Sequence, residues 1–571
     1  MHTIYIIYIT ITTHAHHFAA GGGKAVFTRW GSLKCPAGTK QVYAGSVASG
    51  LARVEGGAGN YLCMHPEPEF FLQSEGMVSG NQNGASLLGV EYRGSGRGAF
   101  DKNINQDVGC VVCEHESASS LYVQWGRKTC TNGHKTVYYG LIMTNPYLRD
   151  YKSESICVDW ARSPSAGSKA DHSLGGMLVP TEWYANNVGN YKKGYELSCA
   201  VCAPEQNSVV YSRWGSNECP SGTTMLYKSL IASAREDDHG SSFNFLCLHP
   251  QPEYPEGVKL GIDNGAYLLP VEYRNTGAVD KNQHHDAGCA VCQRKKTASV
   301  NTQWGRKSCT NDHQLEYYGI IMASHHEQKK TEFICVDWER AAHTLSGINN
   351  GDDVLWTRLY STEVHTGALE DAYELDKELS CAVCSSALPV YTMWGAMKCP
   401  GESTKLYDGS MAASYRMHTG GGYNFLCMHP EPEWPEGVDT GKQLGALLYG
   451  VEYHDTGSLD KNDRHDAGCV VCQMQDTSKG VPYVQWGRRT CSGEYKTVTT
   501  GLVMANYNSH DSKTEFLCVD WERATHKTSS KAHQHSLFLF STEFEDGPYW
   551  GMDTYGRVNE NKEVACVWCG V

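Results

Sequence analysis

Twenty-four cysteines stand in six groups of four, each a single cysteine, a second lone cysteine and a Cys-x-x-Cys. The groups are Cys35, Cys63, Cys110 and Cys113; Cys130, Cys157, Cys199 and Cys202; Cys219, Cys247, Cys289 and Cys292; Cys309, Cys335, Cys381 and Cys384; Cys399, Cys427, Cys469 and Cys472; and Cys491, Cys518, Cys566 and Cys569. Thiols at this spacing suit three chemistries: disulfide cross-linking, zinc ligation and thiol–disulfide exchange. A zinc ribbon needs two Cys-x-x-Cys knuckles about 15–20 residues apart, and each group here has one. Exchange of the thioredoxin kind sets Cys-x-x-Cys at a helix start beside a βαβ unit, a context these apolar segments lack. Structural disulfides in an oxidising compartment are therefore expected. On an extended strand, residues i and i+3 point to opposite faces, so the two cysteines of one Cys-x-x-Cys need different partners. If each group closes on itself, two connectivities remain open. Each bridge then contributes on the order of 3–4 kcal/mol.

Other residue clusters have site-like chemistry. A His-Pro-x-Pro-Glu-aromatic loop recurs as His65, Glu67, Glu69 and Phe70; as His249, Glu253 and Tyr254; and as His429, Glu431, Glu433 and Trp434. Carboxylates beside an aromatic ring suit a sugar, whereas a Pro-rich loop with solvated charges is the plainer and preferred reading. A glycosidase pair is disfavoured, because the glutamates share one local segment and Gln251 replaces the first of them in the middle copy. Asp101, Asn103 and Asp107 place oxygen ligands at alternating positions, as a calcium loop does. His284 and Arg464 interrupt that pattern in the other copies, which favours an Asx-type turn. Asp159-Trp160, Asp337-Trp338 and Asp520-Trp521 read as packing anchors, since a buried indole N–H needs a polar partner. His284-His285 and His325-His326 have metal-ligand chemistry, but lone surface pairs usually hold nothing.

The elements that must position these residues are announced by a repeat. Trp-Gly occurs at Trp30, Trp125, Trp214, Trp304, Trp394 and Trp486, each with a cysteine five residues on. The period is roughly 90 residues, closer to a small domain than to a solenoid repeat. Odd half-units carry the His-Pro loop, and even ones carry Cys-Val-Asp-Trp in its place. The chain thus divides into three modules of two half-units, 21–203, 204–386 and 387–571, after a leader at 1–20. That leader reads as a signal-like apolar stretch without the usual preceding Lys or Arg. Short Val-, Ile-, Tyr- and Leu-rich runs bounded by Gly, Asn and Pro predict an all-β fold of small packed sheets, with no amphipathic helix of more than about three turns. A net charge of −14 argues against a nucleic-acid partner. No segment is long and apolar enough to predict a membrane span.

The runs Trp486–Cys491, Gly422–Cys427, Gly445–Tyr453 and His465–Cys472 are familiar together. They resemble the cysteine-rich C-terminal domain of the short-chain, spongin-like collagens and related invertebrate secreted proteins, here in three tandem copies. The chain lacks any Gly-X-Y tract, so no collagen triple helix forms from it. The resemblance implies an extracellular setting, a matrix or assembly role and no catalytic residues. It also suggests that three fused copies cluster about a pseudo-threefold axis within one chain. The expected function is a secreted, non-catalytic structural or interaction protein with self or other extracellular proteins as partners. The alternatives are a carrier of an apolar pigment or lipid, or a lectin. No cofactor is required on this reading; calcium or a bound apolar ligand are the two that the residues would suit.

Overall fold

A computed structural model describes residues 9–10, 19–21, 24–51, 54–71, 84–93, 103–147, 151–166, 168, 176–185, 189–204, 207–254, 265–274, 282–343, 357–365, 369, 372–401, 403–436, 445–454, 462–475, 482–526, 529, 536–544 and 562–570. Among these the fold is all-β, with no helix. Most of the expected leader lies outside the described residues.

Each half-unit builds one small sheet around its Cys-x-x-Cys strand. In the first, Gly109–His115 pairs antiparallel with the Trp-bearing strand Lys24–Trp30 on one side. On the other it pairs with the long strand Thr39–Ser49, through a bulge between Gln41 and Tyr43. Alternation sends Cys110 and Cys113 to opposite faces, and the disulfides follow. Cys113 bonds Cys35 and Cys110 bonds the lone Cys63. The same rule, first with last and lone with third, holds in all six half-units and leaves no free cysteine. This settles which of the two open connectivities the fold uses.

The Trp-Gly signature ends the first strand of each sheet. The indole of Trp30 is buried, and Gly31 turns the chain at φ +76°. Its N–H donates to the Gly109 carbonyl at 2.8 Å. A Cβ at Gly31 would sit 2.7 Å from Val158 of the next half-unit. Both the left-handed backbone and the close approach therefore require glycine.

Seven parallel-paired strands, two from the first half-unit and one from each of the others, close the molecule. Glu91–Tyr92 pairs with Met177–Trp183, which pairs with Ala266–Tyr273. Thr357–Val364, Ala446–Tyr453 and Leu537–Phe544 follow in turn. Leu537–Phe544 then pairs with Ala85–Gly89 of the first half-unit. Each strand meets the preceding one with its N-terminal part and the following one with its C-terminal part, so the strands overlap head to tail around the ring. A second set of bridges repeats the order. Each Trp pairs with the lone-cysteine segment of the next half-unit: Trp30 with Val158, Trp125 with Leu248, Trp214 with Val336, Trp304 with Met428 and Trp394 with Val519. Trp486 returns to Met64.

The core runs through these seams. Tyr483, Val567 and Cys569 of the last half-unit pack with Val26, Trp30 and Cys110 of the first. Near the pseudo-threefold axis, the equivalent positions two residues before Tyr61, Phe245 and Phe425 are Gly59, Phe243 and Tyr423. The rings of Phe243 and Tyr423 stack at 3.4 Å. A Cβ on Gly59 would lie 2.9 Å from Phe243, so there is no room for a third ring.

Candidate functional site

The His-Pro loops of the odd half-units lie against the Trp-Gly turns of the preceding even ones. Glu253 accepts hydrogen bonds from the N–H of Lys128 and of Thr129, at 3.2 and 3.0 Å, and from the Thr129 hydroxyl at 2.8 Å. The Arg127 guanidinium completes the clasp. Glu433 is held the same way by Lys307 and Ser308, at 2.7 and 2.8 Å, with Arg306 at 3.1 Å. Glu69 is held by Arg489 and Thr490 at 2.7 and 2.8 Å, with Arg488 at 2.8 Å. These donors hold all three carboxyls below the usual carboxylate range, against the opposing effect of burial.

The histidines and aromatics of these loops are packed in as well. His65, His249 and His429 each accept, through Nδ1, the backbone N–H two residues on, at 3.0–3.1 Å. Each lies against a tyrosine ring, Tyr43, Tyr227 or Tyr407. Burial brings all three imidazoles down to about 4, so they are neutral at pH 7. The Tyr254 hydroxyl accepts from the Lys192 N–H at 3.1 Å, and Trp434 packs edge-on against Tyr373. Phe70 meets Phe544 edge-on, and its neighbour Phe71 stacks on Trp521 at 4.0 Å. The structure thus joins the loop glutamates and aromatics to partners from another half-unit and packs the histidines within their own, and it does not gather these residues across a cleft.

The other type of seam, odd to even, uses the Asp of Cys-Val-Asp-Trp. Asp159 accepts from Arg29 Nε at 2.8 Å, and Asp337 accepts from Arg213 Nε at 2.7 Å. In the third module Met393 stands where the arginine would be, and Asp520 accepts instead from the Thr499 hydroxyl at 2.7 Å. Arg162, Arg340 and Arg523 lie over the Trp160, Trp338 and Trp521 rings at 5.1–5.5 Å.

Of the calcium-like set, Asp101 lies outside the described residues. Asn103 donates from Nδ2 to the Arg162 carbonyl at 3.0 Å, and Asp107 is buried with its N–H on Ser168 Oγ at 2.7 Å. Asn105, His284 and Arg464 occupy one left-handed position, at φ 60°, 64° and 61°. The segment is a tight turn tying each odd half-unit to the even one that follows. His284 sits beside the Arg274 guanidinium at 2.7 Å, while His325, His326 and Glu327 bring ligand atoms within 4.8 Å of one another.

Two arrangements of residues had no place in the sequence reading. The first is a pair of acidic residues bridged across strands in every half-unit: Glu91 with Asp107, Glu182 with Glu196, Glu272 with Asp286, Glu363 with Glu378, Glu452 with Asp466, and Glu543 with Glu563. All twelve are buried. Burial, with Asp466 adding to it, pushes Glu452 up to about 7. The second is Lys-Ser/Thr-Glu before each even lone cysteine: Lys152 and Glu154, Lys330 and Glu332, Lys513 and Glu515. The three glutamates accept the backbone N–H of Tyr61, Phe245 and Phe425 at 2.7–2.9 Å. In the reverse sense, Asn60, Asn244 and Asn424 accept the N–H of Phe516, Ser155 and Phe333, each at 2.7 Å. Together they make an axial girdle crossing all six seams. A recurring Lys-x-Glu five residues before a cysteine was the available signal. No known family model matches the chain.

Proposed function

We propose that the protein is a secreted, non-catalytic structural or interaction protein of extracellular material, in which one chain supplies a preassembled ring of three modules. The observation that supports this reading is the engagement of the recurring charged loop residues across the seams. Glu69, Glu253 and Glu433 hold modules together, and their carboxylates are occupied in doing so. Twelve disulfides with no free cysteine are typical of extracellular proteins. In collagens of the kind the sequence resembles, three chains would each bring one module; fusion makes the trimeric arrangement independent of a collagen stalk.

Partners meet the ring through its outer strands. Tyr139, Met225, Leu315 and Tyr318 are exposed, and all lie in the first halves of the long strands. Aromatic and methionine side chains in such places are enriched at protein contacts. Among the described residues no helix is long and apolar enough to cross a membrane. Immunogold labelling of source tissue, with an antibody raised to the intact ring, tests the proposal. Label over extracellular material is expected. Label confined to the cytoplasm would overturn it.

A further inference from the structure

The Lys-x-Glu segments of the even half-units place Lys152, Lys330 and Lys513 at equivalent positions, each five residues before a lone cysteine. All three line one small pocket, reached by residues of all three modules. They are 3%, 4% and 2% exposed, so they form its floor. The mouth carries His239 and the exposed Asp511.

Three ammonium groups offer nine N–H donors. Lys330 gives one to the Gly422 carbonyl at 3.1 Å. Lys513 gives two, to the carbonyls of Leu51 and Val54 at 3.1 and 3.2 Å, and stands 3.5 Å from the centre of the Tyr151 ring. Lys152 Nζ is buried and has no hydrogen-bond partner. None of the three is within ion-pair distance of a carboxylate among the described residues. Two carboxylates line the pocket with them: Glu55, which Lys329 holds at 2.9 Å and which also attracts Lys513, and Asp511 at the mouth. Asp238 and Glu236 approach Lys152 only at longer range, and Arg358 holds Glu236 at 3.1 Å. Glu154, Glu332 and Glu515 are turned to backbone amides.

Burying like charges without a counter-charge costs several kcal/mol per ion. Desolvation accordingly holds Lys152 down at about 8 and Lys330 at about 7. A group that would restore these charges must be small, anionic and rich in acceptors.

We propose that this axial pocket binds a small tetrahedral oxyanion, of the sulfate or phosphate class, held by Lys152, Lys330 and Lys513. The lysines stand at equivalent positions of the three modules, and a tetrahedral ion has an oxygen for each of three donors, with a fourth left over. That fourth position is also where a sulfate ester would continue into a glycan.

Titration calorimetry of the intact chain with sodium sulfate and with sodium phosphate tests this, in buffers matched in ionic strength with sodium chloride. Saturable binding is expected, with a parallel rise in the thermal midpoint. Lys152→Met should weaken the affinity about tenfold or more, while its midpoint without sulfate stays level or rises, because an unpaired buried charge has gone. Lys330→Met serves the same purpose if the first variant does not fold. Neither ion binding, or Lys152→Met binding as tightly as the parent, would overturn the proposal. A sulfated disaccharide separates the sources. Tighter binding than inorganic sulfate assigns the site to a sulfate ester, and equal or weaker binding assigns it to the free ion.

Discussion

The Glu69 carboxylate accepts the backbone N–H of Thr490 at 2.8 Å, from a residue 421 positions further along the chain. That bond belongs to a seam without a covalent connector, where the sixth half-unit meets the first. Glu253 and Glu433 make equivalent bonds at seams that a peptide connector already spans. Glu69→Ala should therefore cost about 2 kcal/mol locally, as loss of hydrogen bonds to a charged group does. It should also speed amide hydrogen exchange at Arg489 and Thr490 more than Glu253→Ala does at Lys128 and Thr129. Equal exchange at the two seams would count against the special role of the closing one.

The disulfide rule is open to peptide mapping. Non-reducing digests should yield Cys35 linked to Cys113 and Cys63 linked to Cys110, with the corresponding pairs in the other five half-units. The bridges close 42 to 78 residues. Replacing Cys63 and Cys110 together by Ala should lower stability by about 4 kcal/mol, read by urea unfolding.

The buried arginine–aspartate pairs predict an asymmetry among modules. Arg29→Met leaves the Asp159 carboxylate buried without its guanidinium, and such losses cost about 3–5 kcal/mol. Adding Asp159→Asn should recover part of this. The parent chain already lives with Met393 at the equivalent position, because Thr499 supplies a neutral donor to Asp520. A double-mutant cycle by chemical denaturation gives the coupling.

Acid should loosen the ring over a defined window. The folded pKa of His65, His249 and His429 is about 4, against 6.5 for the free side chain. Between those values the unfolded chain binds more protons, so stability is full above pH 6.5 and falls as the pH drops toward 4. The clasp glutamates act in the same direction below about 4.5. Thermal midpoints across this range should fall, and His249→Gln should shrink the fall.

Glu515 works oppositely. Burial pushes it up to about 8 from 4.5, so the folded chain holds a proton there that the unfolded chain has lost. Its contribution declines as pH rises from 4.5 to 8. Glu515→Gln can still accept the Phe425 N–H and should raise the midpoint at pH 8 more than at pH 5. An equal effect at both pH values would show that Glu515 is not protonated in the fold.

Much of the architecture was legible because the repeat is redundant. Six copies of Trp-Gly and of four cysteines announce six small β units, and strand alternation separates the two members of each Cys-x-x-Cys. The pairing itself was not legible, since it depends on which neighbouring strand brings Cys35 to one face and Cys63 to the other. The Glu69 loop stood out by composition, yet its partner is at Thr490, and nothing local in either segment points to the other. The girdle and the lysine floor were hidden for the same reason. Lys152, Lys330 and Lys513 lie far apart in sequence and become neighbours only once the ring closes. Gly59 reads as a loop glycine until the stacked rings of Phe243 and Tyr423 show what it makes room for.

Head-to-tail overlap of the ring strands has a consequence for biosynthesis. Met64 finds its strand partner at Trp486, and Ala85 finds its partner at Thr542. During synthesis, the first half-unit must therefore wait with an open sheet edge while more than four hundred residues emerge. Loop-closure entropy makes such long-range pairing slow, and exposed edges invite pairing with other chains. Ring closure is therefore expected to be the slow step, and bridges within a half-unit can hold its waiting edge in register before that step. The molecule's most vulnerable moment precedes its last seam, where chaperones that cover strand edges would govern its yield.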